Sequence, residues 1–279
     1  MYTYTWYEWM AFFYIYCFFG WIFESVYVSV REHRLVNRGF LRLPMLPLYG
    51  TGAVMMLWVS LPVKGSIILV YISGVIAATL LEYVTGYVME RLFKIKYWDY
   101  SNQKFQFQGY ICLSSSIAWG FLTIFLTEVI HRPISAFVTS VRPVWLLSGT
   151  AVISIFFVCD VVQSTREALA LGKVLETMTK LRADLDDMQV QLALLKAEAE
   201  QRIDEFLEDK ELKLAELRAR KEQVLSESLK SLMEKRETIT HHIGFYRKGL
   251  LLGNPTAVSR RFNDALKELR ELARSHTVD

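Results

Sequence analysis

The sequence predicts an all-α protein: a polytopic helical membrane bundle of about five spans, N-out and C-in, followed by a long cytoplasmic coiled coil. Three observations carry this. Residues 1–165 hold five apolar stretches of spanning length, residues 166–279 are dense in charge with heptad spacing, and the basic residues alternate between loops. Residues 166–279 contain 21 Lys+Arg and 21 Asp+Glu. A mean hydropathy of +0.22 for the whole chain therefore requires a strongly apolar first part, which excludes a soluble single-domain enzyme. A net charge of +3 with no basic stripe gives no footprint for nucleic acid. Cys17, Cys112 and Cys159 all lie in apolar runs, far from metal-ligand spacing, and read as buried thiols outside any disulfide framework.

The five stretches are residues 8–30, 45–63, 66–89, 109–130 and 144–164, against the roughly 20 apolar residues that a span takes. The second is the weakest, with Pro47 and Gly50 early and Pro62 at its end. The first lacks a basic segment before it and a small-residue cleavage site after it, so it reads as a retained anchor. Arg31, Arg34, Arg38 and Arg42 follow the first span; Arg91, Lys94, Lys96 and Lys104 follow the third. The alternate connections carry only Lys64, and Arg132 with Arg142. The positive-inside rule then puts the basic loops and the charged half in the cytoplasm of a cell-membrane protein, with the aromatic Tyr2, Tyr4, Trp6, Tyr7 and Trp9 in an outer interfacial belt.

From Leu171, apolar residues recur at steps of three and four: Val174, Met178, Leu181, Leu185, Met188, Leu192, Leu195 and Ala199. That heptad seam predicts a coiled coil and, through it, a homo-oligomer. Beyond Arg202 the register drifts through Phe206, Leu214, Leu217, Val224 and Leu232, as at a stutter. No Pro or Gly interrupts residues 173–243, and at ~1.5 Å per residue such a helix would extend roughly 100 Å. Gly253-Asn254-Pro255 breaks it, with Asn254 or Thr256 available to cap a final helix bearing Val258, Phe262, Ala265, Leu266 and Leu269. That helix reads either as a docking element or as a hairpin closing the stalk. The expected domains are a transmembrane domain 1–165, a stalk 166–249 and a C-terminal capped helix 250–279.

Ionisable side chains inside spans are costly, about 2.5–3.5 kcal/mol at the centre on insertion scales, and mark candidate functional positions. Glu24, Glu82 and Asp160 each fall roughly 7–9 Å to the cytoplasmic side of a span's midpoint, which suggests one inward-facing acidic cavity. Gly74, Ala78, Glu82, Gly86 and Glu90 repeat every four residues, either as a close-packing face or as the lining of a hydrated path. Arg38 and Arg42 qualify as counter-charges if the Gly- and Pro-rich loop 37–50 folds back into the bundle. Ser114, Ser115 and Ser116 are placed to offer hydroxyls. Trp98, Asp99, Tyr100 and Ser101 form a compact aromatic and acidic turn with no catalytic pattern. His131 stands alone in an outer loop, and His241, His242 and His276 lie in the stalk and tail. There is no P-loop, no H-E-x-x-H and no G-x-S-x-G, so neither an enzyme nor a metal or cofactor site is expected. An intramembrane hydrolase using paired acids is the one enzymatic reading left open.

Several blocks in order resemble a bacterial membrane family, the ABC-transporter type IV (CmpB-like) proteins. They are Gly20-Trp21-Ile22-Phe23-Glu24, Asn37-Arg38-Gly39-Phe40-Leu41, Leu46-Pro47-Leu48-Tyr49-Gly50, Leu81-Glu82-Tyr83, Trp98-Asp99-Tyr100-Ser101, Gly109-Tyr110-Ile111 and Trp119-Gly120. The resemblance covers roughly residues 12–165, and the tail after Asn254-Pro255 is similar too. Leu43 departs from the pattern, which places a small residue before the proline. The resemblance implies a multi-pass permease that works with a separate ATPase. Two functions are thus carried forward: a permease-like or channel-like transport component lined by Glu24, Glu82 and Asp160, and a membrane-anchored scaffold or sensor acting through its coiled coil.

Overall fold

The computed structural model describes residues 4–201, 210–241 and 243–275. The protein is all-helical apart from one short hairpin, and divides into two compact units: Met1–Gly172 with Gly244–Asn263, and Lys173–Ile243 with Asp264–Asp279. Contacts thus place 244–263 with the apolar helices, where the sequence-based division assigns 166–249 to a stalk and 250–279 to a capped helix.

In the first unit, α1 (Trp6–Glu32) starts at a capping box: Glu8 Oε2 accepts from the Thr5 N–H at 2.6 Å and from the Thr5 hydroxyl at 2.8 Å. It stops at His33, which turns left-handed (φ 51°) and donates its N–H to Ser29. α3 (Ile67–Phe93) ends the same way at Lys94 (φ 63°). Between them, α2 (Pro47–Ser60) is extended by a 3₁₀ turn, Leu61–Val63. A hairpin of β1 (Gln106–Phe107) and β2 (Ile111–Cys112) leads into α4 (Leu113–Phe125). A π-helical turn, Leu126–Ile130, joins α4 to α5 (His131–Ser140). The long α6 (Pro143–Gln201) begins at a proline, whose missing N–H costs nothing in a first turn. α8 (Phe245–Gly253) completes the unit; α7 is Lys210–His241 and α9 is Asn263–Ser275.

Among the described residues, four helical stretches are long and apolar enough to cross a membrane: Trp6–Glu32, Ile67–Phe93, Leu113–Ser140 and Pro143–Leu195. Pro47–Val63 is apolar but shorter. Its start explains why. The Leu46 N–H bonds to the Cys17 carbonyl, midway along α1, so the chain travels back beside α1 before α2 begins. Gly20 lets the Tyr49 side chain lie on the α1 backbone, where any Cβ would overlap it. The stripe on α3 is a buried face: Gly74, Ala78, Glu82 and Gly86 are all buried, and Gly74 admits the side chain of Thr123 from α4.

The stretch Leu113–Ser140 runs further than the 109–130 that the sequence suggests. His131 does not sit in a loop. It begins α5, is 1% exposed, and is bonded by Tyr16 Oη at Nδ1 (2.8 Å) and Tyr4 Oη at Nε2 (3.2 Å). The π turn keeps the chain helical into His131 and Arg132, which read as a loop in sequence, and Arg132 pairs back to Glu128.

In the second unit the early heptad positions Met178, Leu181 and Leu185 are buried, as are Leu266, Leu269 and Ala273 of α9. Ion pairs Arg182–Asp264 (3.9 Å) and Arg236–Glu268 (2.5 Å) set α9 beside both α6 and α7. This part of the seam is therefore covered within one chain, whereas the later positions Met188, Leu192 and Leu195 are half-buried. Tyr2, Arg202, Phe206, His242 and His276, and the side chains of Ala199, Leu214, Leu217 and His241, lie outside the described residues. The break at Gly253–Pro255 is present, but α9 starts only at Asn263, so Asn254 caps no following helix.

Candidate functional site

The loop after α1 is fastened to that helix rung by rung. The Val36 N–H donates to Ser29 Oγ (2.9 Å), the Arg38 N–H to Ser25 Oγ (3.1 Å), and the Trp21 indole to Asn37 Oδ1 (2.6 Å). Ser25 and Ser29 sit one turn apart, so these bonds lay the loop along α1. Arg38 is thereby delivered to Glu24, Nε to Oε2 at 3.5 Å, with the two side chains only 13% and 27% exposed. Tyr49, entering on α2, donates its hydroxyl to Glu24 Oε1 at 2.8 Å.

Glu82 is 4% exposed. It accepts from Tyr100 Oη (3.0 Å), Trp119 Nε1 (3.0 Å) and Ser115 Oγ (3.3 Å). All three donors are neutral, and among the described residues no cation lies within ion-pair distance. The rings of Tyr49 and Trp119 meet edge to face at 6.2 Å, which connects the Glu24 and Glu82 surroundings. Tyr100 lies between them. Burial first, then the charge and hydrogen bond of Glu82, with a smaller share from Glu24, push its hydroxyl well above the usual tyrosine range. Glu24, Arg38, Tyr49, Tyr100, Ser115 and Trp119, all half-buried, thus make one polar cluster with the buried Glu82.

Asp160 has a different role in the geometry. Its Oδ2 accepts the main-chain N–H groups of Arg42 (2.9 Å) and Leu43 (2.8 Å), and Ser164 Oγ reaches Oδ1 at 3.3 Å. It anchors the returning loop to α6, and its side chain makes no contact with either glutamate. Glu90 accepts from Tyr110 Oη (2.5 Å) and pairs with Arg260 Nε (3.3 Å). Burial first, then Glu90, pushes the Tyr110 hydroxyl up to about 12. Gly86 leaves room for the rings of Trp98 and Tyr110, and the Trp98 indole donates to the Tyr110 carbonyl at 2.9 Å. Asp99 Oδ1 accepts from Ser101 Oγ (2.6 Å) and from Lys96 Nζ (3.3 Å). Burial alone would raise the Asp99 carboxyl; those partners outweigh it and hold it below the ordinary range.

A segment remote in sequence closes this end of the unit. Asn254, 2% exposed, takes Arg38 Nη1 on its Oδ1 (2.6 Å) and donates Nδ2 to the carbonyls of Gly39 (2.9 Å) and Leu250 (3.0 Å). Lys96 and Val258 exchange both main-chain bonds at 2.8 and 2.9 Å. Ser259 Oγ donates to the Lys94 carbonyl, and Arg260 Nη2 to that of Gln108. Arg38 therefore touches both the membrane acid Glu24 and the docked segment. Sequence reasoning singled out Glu24, Glu82, Arg38 and Glu90, but missed Tyr49, Trp119, Asn254 and Arg260 as their partners. Asn254-Pro255 reads locally as a helix break, and nothing in that pattern points to a loop 216 residues away.

Several helices long and apolar enough to cross a membrane, with acidic side chains among them, mark the class as a helical membrane protein. The particular family follows from the chain itself: the model for the family described as "Putative ABC-transporter type IV" matches residues 11–165, more than half its length, and the protein belongs to that family. No curated protein and no solved structure matches it.

Proposed function

We propose that the protein is the permease-like or channel-like subunit of a transport system in the cell membrane. Its path runs past the Glu24–Tyr49–Tyr100–Glu82 cluster and favours protons or other cations. Glu82 carries this reading: a carboxylate 4% exposed, in a helix of spanning length, bonded by neutral donors and without a counter-cation. Such a group is costly in a bilayer and is kept where it meets a permeating or exchanging species.

The basic loops put the ends of α1 and α3, together with 244–263, on the cytoplasmic side. With α1 and α3 running the same way, α2 must return between them, which makes five crossings of which α2 is the short one. Family membership supports a separate ATPase as partner, meeting the protein at this cytoplasmic end. The later seam positions Met188, Leu192 and Leu195, which are only half-buried in one chain, are the surface through which a second copy would associate. The chain itself performs no covalent chemistry in this reading.

The test is proton and monovalent-cation flux into proteoliposomes holding the full chain, compared with Glu82→Gln and Glu24→Gln. Flux in the wild type that both substitutions abolish, in protein that still assembles, supports the reading. Flux that survives both substitutions contradicts it. A second reading, a membrane-anchored scaffold or sensor, is favoured by one observation: Glu24 and Asp160 are already saturated by Arg38 and by main-chain N–H groups. No flux together with misassembly of the variants would select it.

A further inference from the structure

Arg38 is claimed from two sides. Its Nε faces Glu24 at 3.5 Å, while Nη1 donates to Asn254 Oδ1 at 2.6 Å and to the Gly253 carbonyl at 3.5 Å. Gly253 is the last residue of α8, and the carbonyl before it, that of Leu252, accepts from Arg34 Nη2 at 3.2 Å. Two arginines of the loop after α1 thus meet the C-terminal carbonyls of α8, the helix end that favours cations. The charge that faces the membrane acid is therefore held in place by segment 244–263.

From there the segment crosses to the loop after α3. Lys96 and Val258 exchange main-chain bonds as an isolated bridge, outside any ladder. Ser259 Oγ donates to the Lys94 carbonyl at 2.7 Å, and Arg260 pairs with Glu90 at 3.3 Å. The segment therefore joins loop 33–46, which delivers Arg38 to Glu24, with loop 94–112, which delivers Tyr100 to Glu82. An isolated bridge with a few side-chain bonds opens more readily than the helices it is docked on. The chain enters the segment from α7 and leaves it into α9, so both of its ends run into the second unit.

We propose that segment 244–263 is a strap that closes the Glu24–Glu82 path by pinning the Arg38 guanidinium beside Glu24, and that undocking of the strap opens it. The inference rests on the path proposed above and names its regulation. A guanidinium fixed in a narrow polar path is an electrostatic barrier to protons and other cations. On undocking, Arg38 loses Asn254 and the α8 carbonyl but keeps its main-chain bond to Ser25, so the side chain alone is set free to turn away.

The full chain is tested in oriented proteoliposomes, with Cys17, Cys112 and Cys159 replaced by alanine and Ser115→Cys as reporter. Three forms are compared: the natural strap, a strap loosened by Ser259→Ala with Arg260→Gln, and a strap locked by oxidising Lys96→Cys with Val258→Cys. Residues that exchange both bonds of an antiparallel pair stand about 5.5 Å apart at Cα, within the range of a disulfide. A membrane-impermeant thiol reagent applied at loops 33–46 and 94–112 should label position 115 roughly threefold faster or more in the loosened form, as one lost hydrogen bond allows. Labelling should slow at least as much in the locked form. Proton flux, measured with Ser115 intact, should follow the same order and return when the disulfide is reduced, which also shows that the locked protein is folded. Equal labelling in all three forms overturns the strap and leaves the path standing. Flux that ignores both the strap and Glu82→Gln, while labelling still follows the strap, refutes the path and with it the strap's role.

Discussion

Replacing Asn254 by alanine removes the contact that ties segment 244–263 to the loop carrying Arg38. Three bonds go: one from the Arg38 guanidinium at 2.6 Å, and two to the carbonyls of Gly39 and Leu250. A hydrogen bond to a charged group contributes about 1.5–3 kcal/mol, and a buried group left without its partner costs about 1–3 kcal/mol. Leu250 ends a helix turn and recovers part of its loss, so the net cost is about 3 kcal/mol. At roughly 2–4 °C per kcal/mol for a chain of this size, the melting midpoint falls on the order of 10 °C. Tryptophan fluorescence in detergent reads this cleanly, because all seven tryptophans lie between Trp6 and Trp145, in the first unit. Asn254→Asp keeps the oxygen that Arg38 meets but turns an acceptor oxygen on the carbonyls of Gly39 and Leu250, so its midpoint also falls. An Asn254→Ala midpoint equal to wild type would mean that the docked segment is not held by this residue and that the reasoning is wrong.

Gly74→Val thrusts two methyl groups into the Thr123 side chain, and overpacking of this kind costs about 1–3 kcal/mol; the readout is a lowered melting midpoint, with Gly65→Val, whose Cβ meets open space, as the control. Arg38→Gln leaves Glu24 buried with only Tyr49 as partner, and should cost more than the double change Arg38→Gln with Glu24→Gln, read as a coupling in a double-mutant cycle. Asp99 has a depressed carboxyl, so its contribution is complete above its ordinary value of 3.8 and is lost as pH falls through the lower folded value. Hydrogen-exchange protection in 94–112, taken relative to the intrinsic rate at each pH, should therefore fall at acid pH in the wild type, and Asp99→Asn should be less protected at neutral pH with this acid step removed.

How much of this is legible in sequence depends on the range of the interaction. Glu24, Glu82 and Asp160 stand out because a carboxylate in an apolar run is expensive wherever it lies. The small-residue stripe on α3 shows because helix period is local. Arg38 was readable as a counter-charge only on the condition that its loop folds back, and Ser25, Ser29 and Trp21 meet that condition with bonds no local pattern announces. Equal depth suggested one cavity for three acids, but depth says nothing of azimuth around the bundle, and Asp160 went to the main chain of residues 42 and 43. His131 misled because a polar cluster with Pro133 reads as a loop, while a π turn carries the helix through it. The heptad seam foretold burial but not its source: Met178, Leu181 and Leu185 are buried within one chain, in a unit that also holds α7 and α9.

The central claim is that the Glu24–Glu82 cluster lines a water-accessible path from the cytoplasmic end. The direct measurement is thiol labelling of Ser115→Cys, one turn from Trp119 and bonded to Glu82, in a background with Cys17, Cys112 and Cys159 replaced by alanine. With oriented vesicles, a membrane-impermeant thiol reagent should modify position 115 from the side of loops 33–46 and 94–112, and Glu82→Gln should alter the rate. No modification from either side, in protein that labels fully once unfolded, would contradict the account and leave the cluster as packing alone.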